Sequence, residues 1–194
     1  MSFYSEDELR SLGFRSVGKG VKLSRNATIY GAGRISLGNH VRIDDFCVVS
    51  AGEKGIRFGD YVHVAVHCSV MGAGEIVMED FSGLSSRVSI YSSNDDYSGS
   101  ALTNPTVPAR YTNVTSADVH VGRHAIIGSG AIVLPGVTIE EGAAIGALSL
   151  VNRDCKAFGI YSGIPARRIK ERSRDLLELE KRLRLESDAE PGNQ

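Results

Sequence analysis

The chain has 194 residues, with 22 Lys and Arg against 23 Asp and Glu, a formal net charge of −1, 22 glycines and no tryptophan. That length suits one core, and so even a charge balance gives no electrostatic reason for nucleic acid or an anionic membrane as partner. The three cysteines, Cys47, Cys68 and Cys155, are odd in number and lack CxxC spacing, which argues against a disulfide framework or a cysteine zinc site and for free thiols in a reducing cytoplasm.

The N-terminal residues MSFYSEDELRSLGF lack the basic-then-apolar pattern of a signal peptide, and no apolar run reaches the length of a membrane span. Within them, residues 5–12 predict a short helix. Ser5 can cap it, Glu8 stands at the capping-box spacing, and Gly13 ends it.

A repeat follows. Val17, Leu23 and Ile29 are six residues apart, as are Leu37, Ile43 and Val49, then Phe58, Val64 and Val70, then Met78, Leu84 and Ile90. Between successive triplets stand GAGR, AGEKG and GAGE, so the widening always follows the third member. The longest interruption, Tyr91 to Asp118, leaves after a third member too. From Val121 the spacing of six continues without a break through Ile127, Val133, Ile139, Ile145 and Val151.

A helix of period 3.6 cannot keep every sixth residue on one stripe. Six residues fit a short strand plus a tight corner, where Gly or another residue tolerant of φ > 0 is preferred. Three units close a triangular coil, and stacked coils bury one aliphatic column with parallel strand pairing. The architecture expected is mainly β, with a long loop at 91–118. Near the end, Ser173 to Glu186 predicts an amphipathic helix with Leu176, Leu179 and Leu183 as its apolar stripe, and Ser187 to Gln194 reads as a frayed tail.

These six-residue units resemble the hexapeptide-repeat acyltransferases, whose signature is an aliphatic residue, Gly and four more. The resemblance spans residues 17–170. It implies that the solenoid is a left-handed parallel β-helix, between a lead-in at 1–16 and a C-terminal helix and tail at 171–194. The stretch HVGRHAIIGSGAIVLPGVTIEEGAAIGALSLVNRDC, followed by GIYSGIPARRIK, looks like the terminal half of the sugar and xenobiotic acetyltransferases of that family. The resemblance implies acetyl-CoA as donor and a homotrimer with the acceptor site between subunits. It also implies a sugar acceptor acylated on a hydroxyl or amino group, with a nucleotide-linked sugar of lipopolysaccharide biosynthesis among the candidates.

Carried over by position, Ser129, Gly130, Gly146 and Ala147 match the small residues beside coenzyme A in the family pattern. Arg153, Arg167 and Arg168 are candidates for its phosphates, where a guanidinium binds bidentately. Relatives carry a catalytic His on the protruding loop, but this chain has none between Tyr91 and Asp118. Asn94, Asp95, Asp96 and Tyr97 stand there instead. Asp95 or Asp96 then becomes the candidate to orient the acceptor or take its proton, a role that asks for desolvation. His67, expected to face outward at a corner, is the other candidate base. Asn94 and Tyr97 are candidate acceptor contacts. An amine acceptor suits a site without the loop His, because it needs only to be neutral when it attacks.

Two other readings compete. His63 and His67, like His120 and His124, stand four apart, as in the zinc-dependent, carbonic-anhydrase-like β-helices, but the repeat register turns the two pairs onto different corners, and no metal site is assigned. A non-catalytic scaffold is the other, supported by the missing loop His and opposed by the SGIPARR segment.

Overall fold

The structure, a computed structural model, describes residues 2–189, with side chains as far as Glu186. Three parallel sheets form the walls of a prism, a left-handed parallel β-helix. In the first wall Val17, Leu37, Phe58, Met78, Val121 and Ile139 stack in register. In the second, Leu23, Ile43, Val64, Leu84, Ile127, Ile145 and Tyr161 do so. The third stacks Ile29, Val49, Val70, Ile90, Val133 and Val151.

The spacing of six therefore maps onto the walls residue for residue. Beyond the first coil these inward aliphatic side chains from Leu37 to Val151 are at most 3% exposed, each stabilising the coil by about 2 kcal/mol through apolar burial. Smaller side chains two positions earlier, among them Ala125, Ala131 and Ala143, fill the corners. Cys47, Cys68 and Cys155 are buried free thiols.

Both ends of the column are closed, as a solenoid requires. Helix α1 (Glu6–Ser11) covers the bottom. Its capping box forms as expected, with Ser5 N–H donating to Glu8 Oε2 at 2.8 Å and Glu8 N–H to Ser5 Oγ at 3.3 Å, and it drives Leu9 into the core at 1% exposure. Gly13 follows in the left-handed region at φ +74°. At the top, strand Arg167–Glu171 turns back antiparallel on strand Gly159–Ser162.

The corners differ from expectation in one respect. Glycine or another residue tolerant of φ > 0 was expected at their left-handed positions; Gly20 and Gly142 fit this at the first corner, between the first and second walls, but His40, Tyr61, Phe81 and His124 hold φ between +55° and +59° there. Their rings stack at centroid spacings of 4.8, 4.8 and 5.0 Å, which matches the strand spacing of a sheet. A left-handed non-glycine residue costs of order 1–2 kcal/mol, and each ring pair returns about 1 kcal/mol beyond its burial. Where a ring needs room, a glycine stands next to it: a Cβ on Gly142 would lie 2.4 Å from Phe158 Cε1.

Helix α2 (Asp175–Ala189) lies along this ring ladder. Of the leucine stripe, Leu176 is half-buried, Leu179 is 61% and Leu183 40% exposed, whereas Glu180 is 6% exposed. Glu180 accepts from His124 Nε2 at 2.6 Å, from Arg123 Nη1 at 3.0 Å and from Arg184 Nε at 2.7 Å. The helix is thus seated by a polar anchor that a hydrophobic pattern does not register. It also runs past Ser187, so the expected tail begins later, and residues 190–194 of that tail lie outside the described residues.

Candidate active site

The prism has three corners with three fates. The first is roofed by α2: Arg172 Nη1 donates to the carbonyls of His124 and Gly142 at 2.8 and 3.0 Å, Arg174 lies over Phe158, and Arg184 lies over Phe81. The third corner, from the third wall back to the first, carries the insertions. The second corner has no such cover.

Within the third corner, the long loop is pinned at its root. Strand Ser93–Asn94 pairs antiparallel with strand Thr115–Ser116, the fully buried Ser92 Oγ donates to Gly74 O at 2.8 Å, and Asp118 accepts from Glu75 N and Lys54 Nζ, both at 2.9 Å. Asn94 sits half-buried in this root.

Farther out, the structure separates the two aspartates that sequence treats alike. Asp96 accepts from Ser98 Oγ at 2.8 Å, Ser98 N at 3.1 Å and Ala101 N at 3.0 Å. These donors, the Ser98 hydroxyl first, hold its carboxyl down at about 2, so Asp96 shapes the turn and is a weak proton acceptor. The exposed Asp95 has no such donors, and Tyr97 beside it is 90% exposed.

At the second corner, the last coils pack too closely for a side chain at two positions. A Cβ on Gly128 would lie 2.6 Å from Ala147 N, and one on Gly146 2.8 Å from Ser162 Oγ. Gly130, at φ +71°, lies under Leu148, and Leu148 N donates to Ser129 O at 2.9 Å. Coil stacking alone thus accounts for Gly128 and Gly146. It does not account for the outward-facing Ser129 and Ala147, which are small and exposed.

The structure brings Ser129, Gly130, Gly146 and Ala147 together as a narrow strip. Its rims are apolar and open: Ile126 is 38%, Ile132 39% and Leu148 71% exposed. Directly above it lies the SGIPA segment, with Leu150 N donating to Gly163 O at 3.0 Å and Ala166 N to Leu150 O at 2.8 Å. Arg167 and Arg168 leave from this segment, Arg167 donating to Ala166 O at 3.0 Å and Arg168 paired with Glu171. Arg153 is not part of this grouping; it follows Val151 into the third corner.

His67 sits exposed on the second corner, two coils below the strip, with its ring stacked on Phe46 at 5.0 Å. His63 and His120 stand on different walls, and among the described residues no three His, Cys, Asp or Glu side chains are grouped to hold a metal ion. Not anticipated from sequence is the contact of His63 Nε2 with Asp44 Oδ2 at 2.9 Å; the pairing of Ile43 with Val64 places these neighbours side by side, so the repeat register was the signal for it. No helix among the described residues is long and apolar enough to cross a membrane.

A slim strip of backbone and small side chains between apolar rims, with cations at its upper end, fits a flexible amide-bearing arm ending in phosphates. Comparison with known proteins agrees. The family described as bacterial transferase hexapeptide (six repeats) matches residues 118–153. A dTDP-4-amino-4,6-dideoxy-D-glucose acyltransferase of Escherichia coli is 56% identical over 180 residues, covering 93% of this chain and 94% of that protein. Among solved structures, AntD, an N-acyltransferase from Bacillus cereus in complex with dTDP and 3-hydroxybutyryl-CoA, superposes with a TM-score of 0.90 at 44% identity, covering 97% of this chain and 99% of that one. A variant of AntD, in complex with dTDP-4-amino-4,6-dideoxyglucose and coenzyme A, gives 0.90 at 45% identity, covering 96% and 98%. The chain belongs to the hexapeptide-repeat acyltransferases and is an acyl-CoA-dependent sugar acyltransferase.

Proposed function

We propose that the protein transfers an acyl group, acetyl in the simplest case, from acyl-coenzyme A to the 4-amino group of a dTDP-linked 4-amino-4,6-dideoxyglucose. The observation that carries this is the near full-length relation to an enzyme of that name, 56% identical across 94% of its length. The loop agrees with it. Without a loop His, the site suits a nucleophile that is already a neutral amine, and Asp95 is free to accept a hydrogen bond from it. Asn94 and Tyr97 flank that contact. The thioester arm lies along Ser129, Gly130, Gly146 and Ala147, with Arg167 and Arg168 at the phosphates and Arg153 farther off.

The loop and the strip lie on different corners of one protomer. In this reading residues 17–170 act as one catalytic unit that assembles as a homotrimer, and the loop of one subunit faces the strip of the next.

The test is direct. Purified protein with acetyl-CoA should release free thiol with the 4-amino sugar nucleotide and not with its 4-hydroxy counterpart. Thiol release no faster than the uncatalysed background with the amino sugar would overturn the assignment. Asp95→Asn should lower kcat by more than tenfold, whereas Asp96→Asn should act through loop order, raising the acceptor KM more than it lowers kcat. Equal rates in wild type and Asp95→Asn would remove Asp95 from the site.

A further inference from the structure

Three of the five histidines contact a carboxylate, and the contacts are of different kinds. His124 is sealed with Glu180 under α2, at 9% and 5% side-chain exposure. His120 and Glu79 are both near half exposed, 3.1 Å apart. Only the pair of His63 and Asp44 joins an open imidazole, 50% exposed, to a carboxylate that is 6% exposed.

Asp44 is fixed from its other side by Arg42 Nε at 2.7 Å. Burial pushes the Asp44 carboxyl up, but the hydrogen bonds from His63 and Arg42 outweigh it and hold the group below its ordinary value. An ionised carboxylate accepts the Nε2 proton of a neutral imidazole, which leaves Nδ1 as the lone-pair nitrogen. The charged neighbours of His63 on the coil below are Arg42 and Asp44. The coil above contributes Gly83 and, beyond it, Ile126, neither charged.

Gly83 is the second observation. It takes the outward position directly above His63 in the second wall. Its φ lies outside the left-handed region and its Cβ would meet Ile126 Cδ1 at 3.4 Å and His63 O at 3.8 Å, so neither conformation nor crowding demands glycine here. A glycine in a strand often marks a bulge, a tight bend or the close approach of a ligand, and the unbroken register at Gly83 leaves the last. His63, Gly83 and Ile126 outline a notch with a fixed imidazole floor and an apolar roof.

The second wall is the side of the prism opposite the third corner, where the loop leaves. The loop that can reach this notch therefore belongs to a neighbouring subunit. We infer that the notch seats the hexose of the acceptor and that His63 takes the proton from its attacking amine. This rests on the amino-sugar reading above. As the nitrogen–carbon bond forms, the amine proton passes to Nδ1. The carbon–sulfur bond then breaks and the proton goes to the departing thiolate, so coenzyme A leaves as the thiol and the imidazole is neutral again.

His63→Gln keeps an amide donor for Asp44 and cannot accept the proton. Its kcat should fall about 100-fold, a usual loss for a positioned base, with the KM for acyl-CoA unchanged. Gly83→Ala, whose Cβ the contacts above leave room for, should raise the KM for the amino sugar several-fold and leave that for acyl-CoA alone. Co-expressed His63→Gln and Asp95→Asn chains should recover activity that neither has alone, because a mixed assembly holds sites with both residues intact. Wild-type kcat in His63→Gln, where the wild-type enzyme does acylate the amino sugar, would overturn this proposal alone. A wild-type protein that fails to acylate the amino sugar would overturn the acceptor reading and this one with it.

Discussion

At the first corner of the prism the left-handed position of four successive coils carries a ring, from His40 to His124; at the second corner, in the last coils, the same position carries Gly130 and Leu148, beside Ser129 and Ala147. Both corners come from one six-residue repeat, so the backbone is common to them. What differs is the cover. The ring ladder is roofed by α2 through Glu180, while the small-residue strip is left open with its apolar rims 38–71% exposed. One corner spends its side chains on holding coils together, and the other leaves space for something to lie along it.

This contrast can be broken from either end. The largest effect should come from Glu180→Ala, which leaves Arg123, His124 and Arg184 without their carboxylate. Removing one partner of a buried ionic group costs about 3 kcal/mol, read as a lowered thermal midpoint, while acyl transfer survives below the new transition. An unchanged midpoint would mean that α2 is not the roof. At the open corner the reverse should hold. Ala147→Phe should raise the KM for acyl-CoA at least tenfold, about 1.4 kcal/mol, and leave the thermal midpoint in place. A variant that melts early and binds normally would exchange the roles of the two corners.

Acidity offers a subtler probe. Burial raises the Glu180 carboxyl, but hydrogen bonds from His124 and Arg184 and the charge of Arg123 more than offset this and hold it below its usual value. A depressed folded value means the stabilisation is fully present above the unfolded value, about 4.3, and is lost as pH falls through the folded one. The thermal midpoint should therefore stay level from pH 8 to about pH 5 as far as this group is concerned and fall in stronger acid, and Glu180→Gln should blunt that fall. Smallest of all should be Lys54→Ala at the loop root. Its ion pair with Asp118 is 58% and 54% exposed and is worth at most about 0.5 kcal/mol; Asp118 keeps its bond from Glu75 N.

The inward column was legible because burial repeats every six residues and leaves its mark in aliphatic side chains, from Leu23 to Val151. The widened third corner was legible too, since GAGR, AGEKG and GAGE break the count at one place. The ring ladder was not, because His40, Tyr61, Phe81 and His124 face outward and their left-handed φ is sustained by stacking between coils, at positions 20 to 43 residues apart. Nor was the seating of α2: Leu179 and Leu183 form a stripe, but Glu180, between them, finds its partners 56 and 57 residues earlier in the chain. For the site, the strip could be read from matching small residues. The division of labour between Asp95 and Asp96 could not, since it depends on which carboxylate the turn consumes.

The coils also act as a ruler. Each adds one strand spacing, about 4.8 Å, so the height of the loop root above His63 and below the SGIPA cap is counted in whole coils. Duplicating the coil of residues 121–138 would leave every wall in register and every core contact repeated, yet it would lift the cap by one graduation. The chain would fold, and in the proposed arrangement its donor-phosphate end and its acceptor end would be set for a molecule one step longer.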